Sequence, residues 1–388
     1  MYGSDKVLLD IVTSLDKNLF NPIVVLPWQG PLMTHMQNAG IEVHTCRIAR
    51  LSRGTLTLSG LIKLPFDIIS SWKELDRLMA GRKAALAYSN TLAIISGALW
   101  SKWNNVPHLW HVHEMICKPL WVRSIYKFML DYLADRAIFN SRASMSLFTE
   151  GRHRLYGKSQ VIWNGIKGPD RDCGGQAAAL RASLGIDKDA TLVALVGRIN
   201  RWKGQGLLVE AAGHLWNRGE KNIHFLMIGN TFQGCEHFRD ELLELAASSD
   251  AAANIHIMDF QEDIWPVWKA CDIAVVPSTE PEPFGLVATE AMAMAKPVIA
   301  AAHGGLLEIV KDEETGILFP PGDRLALADA ISRLASDSRL AKRMGQAGQT
   351  RFQSLFSVGA MVKNIEALFI DMICKTGGTT SETCNNQG

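Results

Sequence analysis

No apolar run in the chain reaches the length needed to span a bilayer, and the N-terminus lacks the shape of a signal peptide. Net charge is almost absent too: 40 Lys and Arg against 39 Asp and Glu leave +1. The molecule as a whole is therefore no polyanion or nucleic-acid binder, and any basic patch has to be local. The seven cysteines are scattered, odd in number and never in C-x-x-C spacing. That disfavours a disulfide frame or a zinc site and favours reduced thiols in a cytosolic setting. No repeat of 20–50 residues is visible, which excludes a solenoid.

A chain of 388 residues is too long for one core, so two domains are expected. Short β-branched runs alternate with longer amphipathic ones. The strand candidates are 23–26, 41–44, 85–88, 108–113, 136–140 and 160–163, then 192–196, 224–228, 255–258, 273–277, 297–301 and 317–319. Helical patterns fill most gaps, among them 6–15, 207–217, 238–248 and 325–335. The alternation predicts an α/β fold of parallel sheets with helices on both faces, occurring twice. The break falls between Asn164 and Ala190, where 165–176 is rich in Gly, Pro and charge. The expected domains are 1–165 and 190–351, joined by a linker at 166–189, with a polar, disordered tail at 373–388. The start is unusual. Doubly wound domains open with a strand feeding a Gly-containing turn, whereas here the turn Tyr2-Gly3-Ser4-Asp5 comes first. Either the true start lies upstream or the first domain lacks a strand that is normally central.

The most informative stretch is VPSTEPEPFGLVATEAMAMAKPVIAAAHGGLLEIVKDEETGILF, residues 276–319. Pro283 and Gly285 mark a strand-to-helix turn, and GLVATEAMAMA has helix-forming composition. The N–H groups of Phe284, Gly285 and Leu286 would face an anion at the positive helix end. Glu282 precedes that end and Glu290 lies about two turns along it. A sugar diphosphonucleoside fits this layout, with the hexose near Glu282, the phosphates at the helix start and the ribose at Glu290. The plainer alternative is one surface glutamate and one on a helix face. Gly197-Arg198-Ile199-Asn200-Arg201-Trp202-Lys203-Gly204 follows a predicted strand, and Gly197 would let backbone approach a ligand. On that βα loop Arg198 and Lys203 would neutralise a diphosphate; otherwise the loop is simply solvated. Gly304-Gly305, at the next βα turn, suggests close approach to the donor or else a tight turn.

In the first half, Leu109-Trp110-His111-Val112-His113-Glu114 runs off a strand, and alternation puts His111 and His113 on one face. No third metal ligand follows at a usable spacing, so no metal is expected. His113, nearer the strand end, is the better site candidate, and a satisfied core histidine is the alternative for both. The triplets Asp170–Asp172 and Asp187–Asp189 precede a strand rather than follow one and read as turn aspartates. In residues 117–136, Trp121, Ile125, Phe128 and Met129 share a helical face flanked by Lys118, Arg123 and Lys127. That face is either an interfacial membrane helix or acceptor groove, or a core-facing helix with a solvated side.

GRINRWKG, the 276–310 stretch and TGILFPPGD resemble the second half of a retaining glycosyltransferase of family 4. YGSDKVLLDIV, SNT at 89–91, HVHE, ADRAIFNSR and VIWNGI resemble segments of its first half. The resemblance reaches to about Ile370 and implies the GT-B fold, two facing Rossmann-like domains, with a last helix near 352–372 returning to the first. It further implies that Arg198 and Lys203 hold the donor diphosphate, Glu282 the transferred sugar and Glu290 the ribose. Gly3 would approach the donor phosphates and His113 would line the reaction centre. Such enzymes usually need no metal and no cofactor beyond the nucleotide diphosphate sugar, and they pass the sugar to a carbohydrate or lipid-linked saccharide. The sequence departs from the pattern at the absent opening strand, at Ser4 after Gly3, and at Lys167 where aspartate is common. The expectation is a hexosyl transfer with retention, by same-face attack, in polysaccharide or glycolipid assembly. It would take place in the cytoplasm or peripherally at the inner membrane face. A nucleotide-sugar epimerase, a phosphorylase of the same architecture or an inactive nucleotide- or carbohydrate-binding subunit are the alternatives. A phosphorylase normally needs a longer chain with a pyridoxal lysine.

Overall fold

The computed structural model describes residues 3–51, 55 and 57–376. They divide into two compact units: residues up to 165 together with those from 358 onward, and residues 166–357. The first unit runs α1 (Gly3–Ser14), β1 (Ile23–Leu26), α2 (Pro31–Asn38), β2 (Glu42–Thr45), α3 (Leu58–Leu78), β3 (Ala87–Ser89), α4 (Ser96–Trp103) and β4 (His108–Val112). It continues through α5 (Leu120–Leu133), β5 (Arg136–Phe139), α6 (Arg142–Thr149), α7 (His153–Gly157) and β6 (Ser159–Val161). The second runs α8 (Gly174–Ser183), β7 (Thr191–Val196), α9 (Gln205–Asn217), β8 (Ile223–Ile228), α10 (His237–Ala247), β9 (Ile255–Met258), α11 (Trp265–Ala270) and β10 (Ile273–Val276). Then follow α12 (Leu286–Ala293), β11 (Val298–Ala301), α13 (Leu306–Ile309), β12 (Gly316–Phe319), α14 (Arg324–Ser336) and α15 (Ser338–Arg351). A last helix, α16 (Val358–Thr376), belongs to the first unit.

Every ladder is parallel. In the second unit the strand order is β12-β11-β10-β7-β8-β9. Strands β7, β10 and β11 are buried almost end to end, which is why they read in sequence as continuous apolar runs. Their core is continued by Leu208, Leu215, Leu327, Ile331 and Met344 from the covering helices. Helices α14 and α15 start on side-chain caps: Asp323 Oδ1 accepts from the Leu325 and Ala326 amides, and Asp337 Oδ1 from that of Leu340.

The first unit is divided. β1 pairs only with β2, and β3-β4-β5-β6 form a separate sheet among the described residues. In a doubly wound sheet the opening strand lies at the centre, beside the second and fourth strands. The split between β1 and β3 falls at that place. Helix α16 ties the halves of this unit together. Its Phe369 ring stands edge-on to both Phe20 and Tyr88, and its Glu366 carboxylate accepts from the Asp16 amide.

Two expectations change. Gly3 sits in the first turn of α1 rather than on a turn ahead of the helix. Residues 373–376, expected in a disordered tail, are the end of α16, and 377–388 lie outside the described residues. The long helix α3 carries Pro65 inside it. No described helix is long and apolar enough to cross a membrane.

Candidate active site

The second unit places its charged residues at one point of the sheet. From β7 the chain winds outward to β8 and β9, then returns to β10 on the other flank of β7 and winds outward the opposite way. The winding reverses between β7 and β10, and ligands of open α/β sheets bind outside the strand ends at such a point. The loop after β7 carries Gly197, Arg198 and Lys203, and the loop after β10 carries Ser278, Glu282, Phe284 and Gly285. Across the switch the Lys203 Nζ lies 2.6 Å from a Glu282 carboxylate oxygen, with both side chains largely withdrawn from solvent. The Ser278 hydroxyl donates to the same oxygen.

Backbone contacts force these loops together. The Thr279 amide donates to the Trp202 carbonyl at 2.7 Å. Gly204 has φ +78°, and a Cβ there would collide with the Pro277 carbonyl. From the other side the β11 loop clamps the same segment. The Gly305 amide donates to the Glu282 carbonyl at 2.8 Å, and the His303 Nε2 lies 2.6 Å from the Ser278 carbonyl. A Cβ on Gly304 would stand 2.5 Å from the Glu282 carbonyl oxygen, and one on Gly305 2.7 Å from the Phe284 Cα. The smallness of Gly304 and Gly305 is thus used against the protein's own 282–284 backbone, where the sequence suggested approach to a donor.

Gly285 is the N-cap of α12, with φ +117°, so the helix itself begins at Leu286. Phe284 is buried and packs edge-on to Phe356. Glu290 is buried in the body of α12, about 6 Å along the axis from its first residue. Gly197 closes against the Lys203 side chain, to which a Cβ would come within 3.7 Å. The Arg198 guanidinium lies 3.4 Å from the centroid of the Phe232 ring. The structure therefore brings Gly197, Lys203, Glu282, Gly304 and Gly305 together.

Gly3 and His113 belong to the first unit. There the ends of β3 and β4 hold an uncharged polar chain. The Asn90 Nδ2 donates to the Ser4 carbonyl at 3.0 Å, which turns its Oδ1 toward the His113 Nε2 (3.1 Å) and the Tyr88 hydroxyl (3.1 Å). Since a carbonyl only accepts, this anchor assigns the protons: His113 Nε2 donates to Asn90, and so does Tyr88. The Tyr88 oxygen then accepts from His111 Nδ1 at 2.6 Å. The two imidazoles face each other with centroids 4.0 Å apart, on one side of β4 as alternation predicts. Burial pushes His113 down to about 4 and His108 down to about 3. It also holds His111 well below the ordinary histidine range, with His113 adding to the effect. The Glu114 carboxyl, bonded to Thr91 and the Leu92 amide, is raised by burial.

Ser278, His303, Asn90 and Tyr88 escaped the sequence reading as site residues. Asn90 lies in the SNT segment, and Ser278 and His303 in the 276–310 stretch, that carry the resemblance; Tyr88 lay only in a strand candidate. Asp172 accepts from the Gly174 amide at the start of α8, a turn-and-cap role. Among the described residues no group of three or more His, Cys, Asp or Glu is arranged to hold a metal ion.

Residues 176–351 match the family model described as glycosyl transferases group 1. A D-inositol 3-phosphate glycosyltransferase of Corynebacterium diphtheriae is 32% identical over 194 residues, 49% of this chain and 45% of that protein. Its counterpart in Nocardia farcinica is 37% identical over 174 residues, 44% and 38%. The match thus spans less than half the length of these curated relatives. Among solved structures, Anabaena Alr3699/HepE in complex with UDP-glucose is 23% identical with a TM-score of 0.78, covering 96% of each chain. A glycosyltransferase from Rickettsia africae is 21% identical with a TM-score of 0.81, covering 95% of this chain and 94% of that one. These likenesses show the GT-B fold, in agreement with the resemblance read from the motifs.

Two outcomes follow for this geometry. Gly204→Ala should cost well over the roughly 1 kcal/mol expected of Gly185→Ala, whose left-handed φ of +67° opens onto free space. Urea unfolding of the two variants measures the difference, and equal costs would mean the β7 and β10 loops are not in enforced contact. The histidines set a pH dependence. An unfolded His113 binds its proton near 6.5 and the folded one only near 4, so acidification loads protons onto the unfolded state. Stability should fall from pH 6.5 toward 4 by about 1.4 kcal/mol per pH unit for each such histidine. His113→Gln should flatten that slope in urea titrations at stepped pH.

Proposed function

We propose, since residues 176–351 belong to the glycosyl transferases group 1 family, that the chain is a retaining hexosyltransferase. It takes a hexose from a nucleotide diphosphate sugar and passes it to an acceptor hydroxyl, in polysaccharide or glycolipid assembly at the cytoplasmic side. The observation that carries this reading is the Lys203–Glu282 pair at the reversal of the sheet. It sets a cation and a hydroxyl-seeking carboxylate side by side, as the two ends of a sugar diphosphate require. The structural relatives from Anabaena hold UDP and UDP-glucose, which supports a donor of that class.

In this reading Lys203 and Arg198 face the diphosphate, Glu290 the ribose and Glu282 the sugar hydroxyls. Gly3 meets the donor phosphates and His113 the sugar. Charge builds on the diphosphate as the glycosidic bond breaks. Fixed cations and the amide groups where α12 begins stabilise it without reorganising, the largest electrostatic contribution open to such a site. Attack comes from the face the leaving group vacates, with no enzyme nucleophile. A donor phosphate oxygen then takes the acceptor proton. His113, neutral above about pH 4, would offer its second ring nitrogen as an acceptor to a hydroxyl rather than a positive charge. The chemistry needs no metal or cofactor beyond the donor.

A thermal-shift screen of nucleotide sugars identifies the donor, because a ligand bound only by the folded state raises the melting point. With that donor, Lys203→Ala should lower turnover by about a hundredfold or more, far more than it lowers stability by leaving Glu282 unpaired. Matched losses of rate and stability would make Lys203 a structural lysine. Donor binding with no glycosylated product from any acceptor would make the chain a binding subunit instead.

A further inference from the structure

We propose that the outer face of α5 is a docking surface for an anionic membrane. The sequence left this helix as an interfacial membrane helix or acceptor groove, or as a core-facing helix with a solvated side, and the structure separates its residues. Tyr126 and Leu130 point into the core, with Met129 and Val122 packed beside them. Trp121, Ile125, Phe128 and Tyr132, spaced so that they follow one stripe of the helix, are between 42% and 55% exposed. Leu120 extends the stripe at the helix start and is 61% exposed. So many large apolar side chains on one 14-residue helix is far more than scattered surface hydrophobics require.

The charges around the stripe choose the partner. Lys118 is exposed, while Arg123 and Lys127 flank the stripe on the helix. The Arg154 guanidinium lies 5.3 Å from the Tyr132 ring centroid. The only carboxylate on α5, Asp131, is buried and lies 3.6 Å from Arg152 and 3.8 Å from Arg154. A two-fold contact with a second copy would lay this face on itself, pairing cations with cations. A bilayer of anionic lipid satisfies both features, taking the aromatic side chains at headgroup depth and the basic flanks against the phosphates. With a net charge of only +1, the whole chain supplies no general attraction, so the interaction must come from this patch. No described helix can cross the bilayer, which leaves α5 lying in its plane. The inference concerns the surface of the first unit alone and does not depend on the transfer reaction.

The test is co-flotation of the full chain with vesicles of phosphatidylcholine, with and without phosphatidylglycerol, at low and high salt. Partition should require phosphatidylglycerol and weaken with salt. Trp121→Ser with Phe128→Ser, or Arg123→Glu with Lys118→Glu, should reduce it about tenfold or more at unchanged far-UV dichroism. Failure to float with anionic vesicles, or flotation that neither variant reduces, overturns the proposal. So does a dimer in sedimentation that the Trp121→Ser, Phe128→Ser variant dissolves, which would assign the face to self-association.

Discussion

One ion pair organises the second unit. Lys203 and Glu282 come from loops 79 residues apart and meet at 2.6 Å where the winding of the sheet reverses. A largely buried pair of this kind gains little net stability, because both groups lose water on burial, yet removing one partner strands the other. Its persistence is secured by backbone. Gly204 permits the β7 loop to touch the β10 loop, and the Gly304-Gly305 turn and His303 hold that loop from behind. The pair therefore marks a rigid, preorganised spot, the condition fixed electrostatic stabilisation requires.

The two units use opposite electrostatic devices. The second offers charge. The first offers a part-buried, uncharged relay of Ser4, Asn90, Tyr88, His111 and His113, in which one carbonyl anchor orders every proton. Burial that keeps both imidazoles neutral makes the relay an array of directed donors and acceptors with no ion in it. Phe369 of α16 packs on Tyr88, so the returning helix supports the relay directly.

Much of this was legible in the sequence because parallel strands buried on both faces leave apolar runs, and helices leave a 3.6-residue period. Every strand candidate corresponds to an observed strand with ends shifted by a residue or two, as 273–277 does to β10. What sequence could not give was order across the sheet. Nothing local in 191–196 or 273–276 says that these strands are neighbours, so only a diphosphate shared by both loops implied that Lys203 and Glu282 meet. Gly304-Gly305 left two readings open for a related reason: a glycine pair reports that something comes close, not whether it is ligand or backbone. Met129 was grouped on one face with Trp121, Ile125 and Phe128, yet it packs on the core, because a helical wheel has no knowledge of which edge meets the core.

The most direct test is calorimetric titration of uridine diphosphate into the wild type, Lys203→Met and Glu282→Gln. If Lys203 is the diphosphate's cation and Glu282 its competitor in the empty site, Lys203→Met should weaken binding about tenfold or more. Glu282→Gln should tighten it, by releasing the ammonium group. Affinities that stay within about twofold of wild type in both variants would contradict the account.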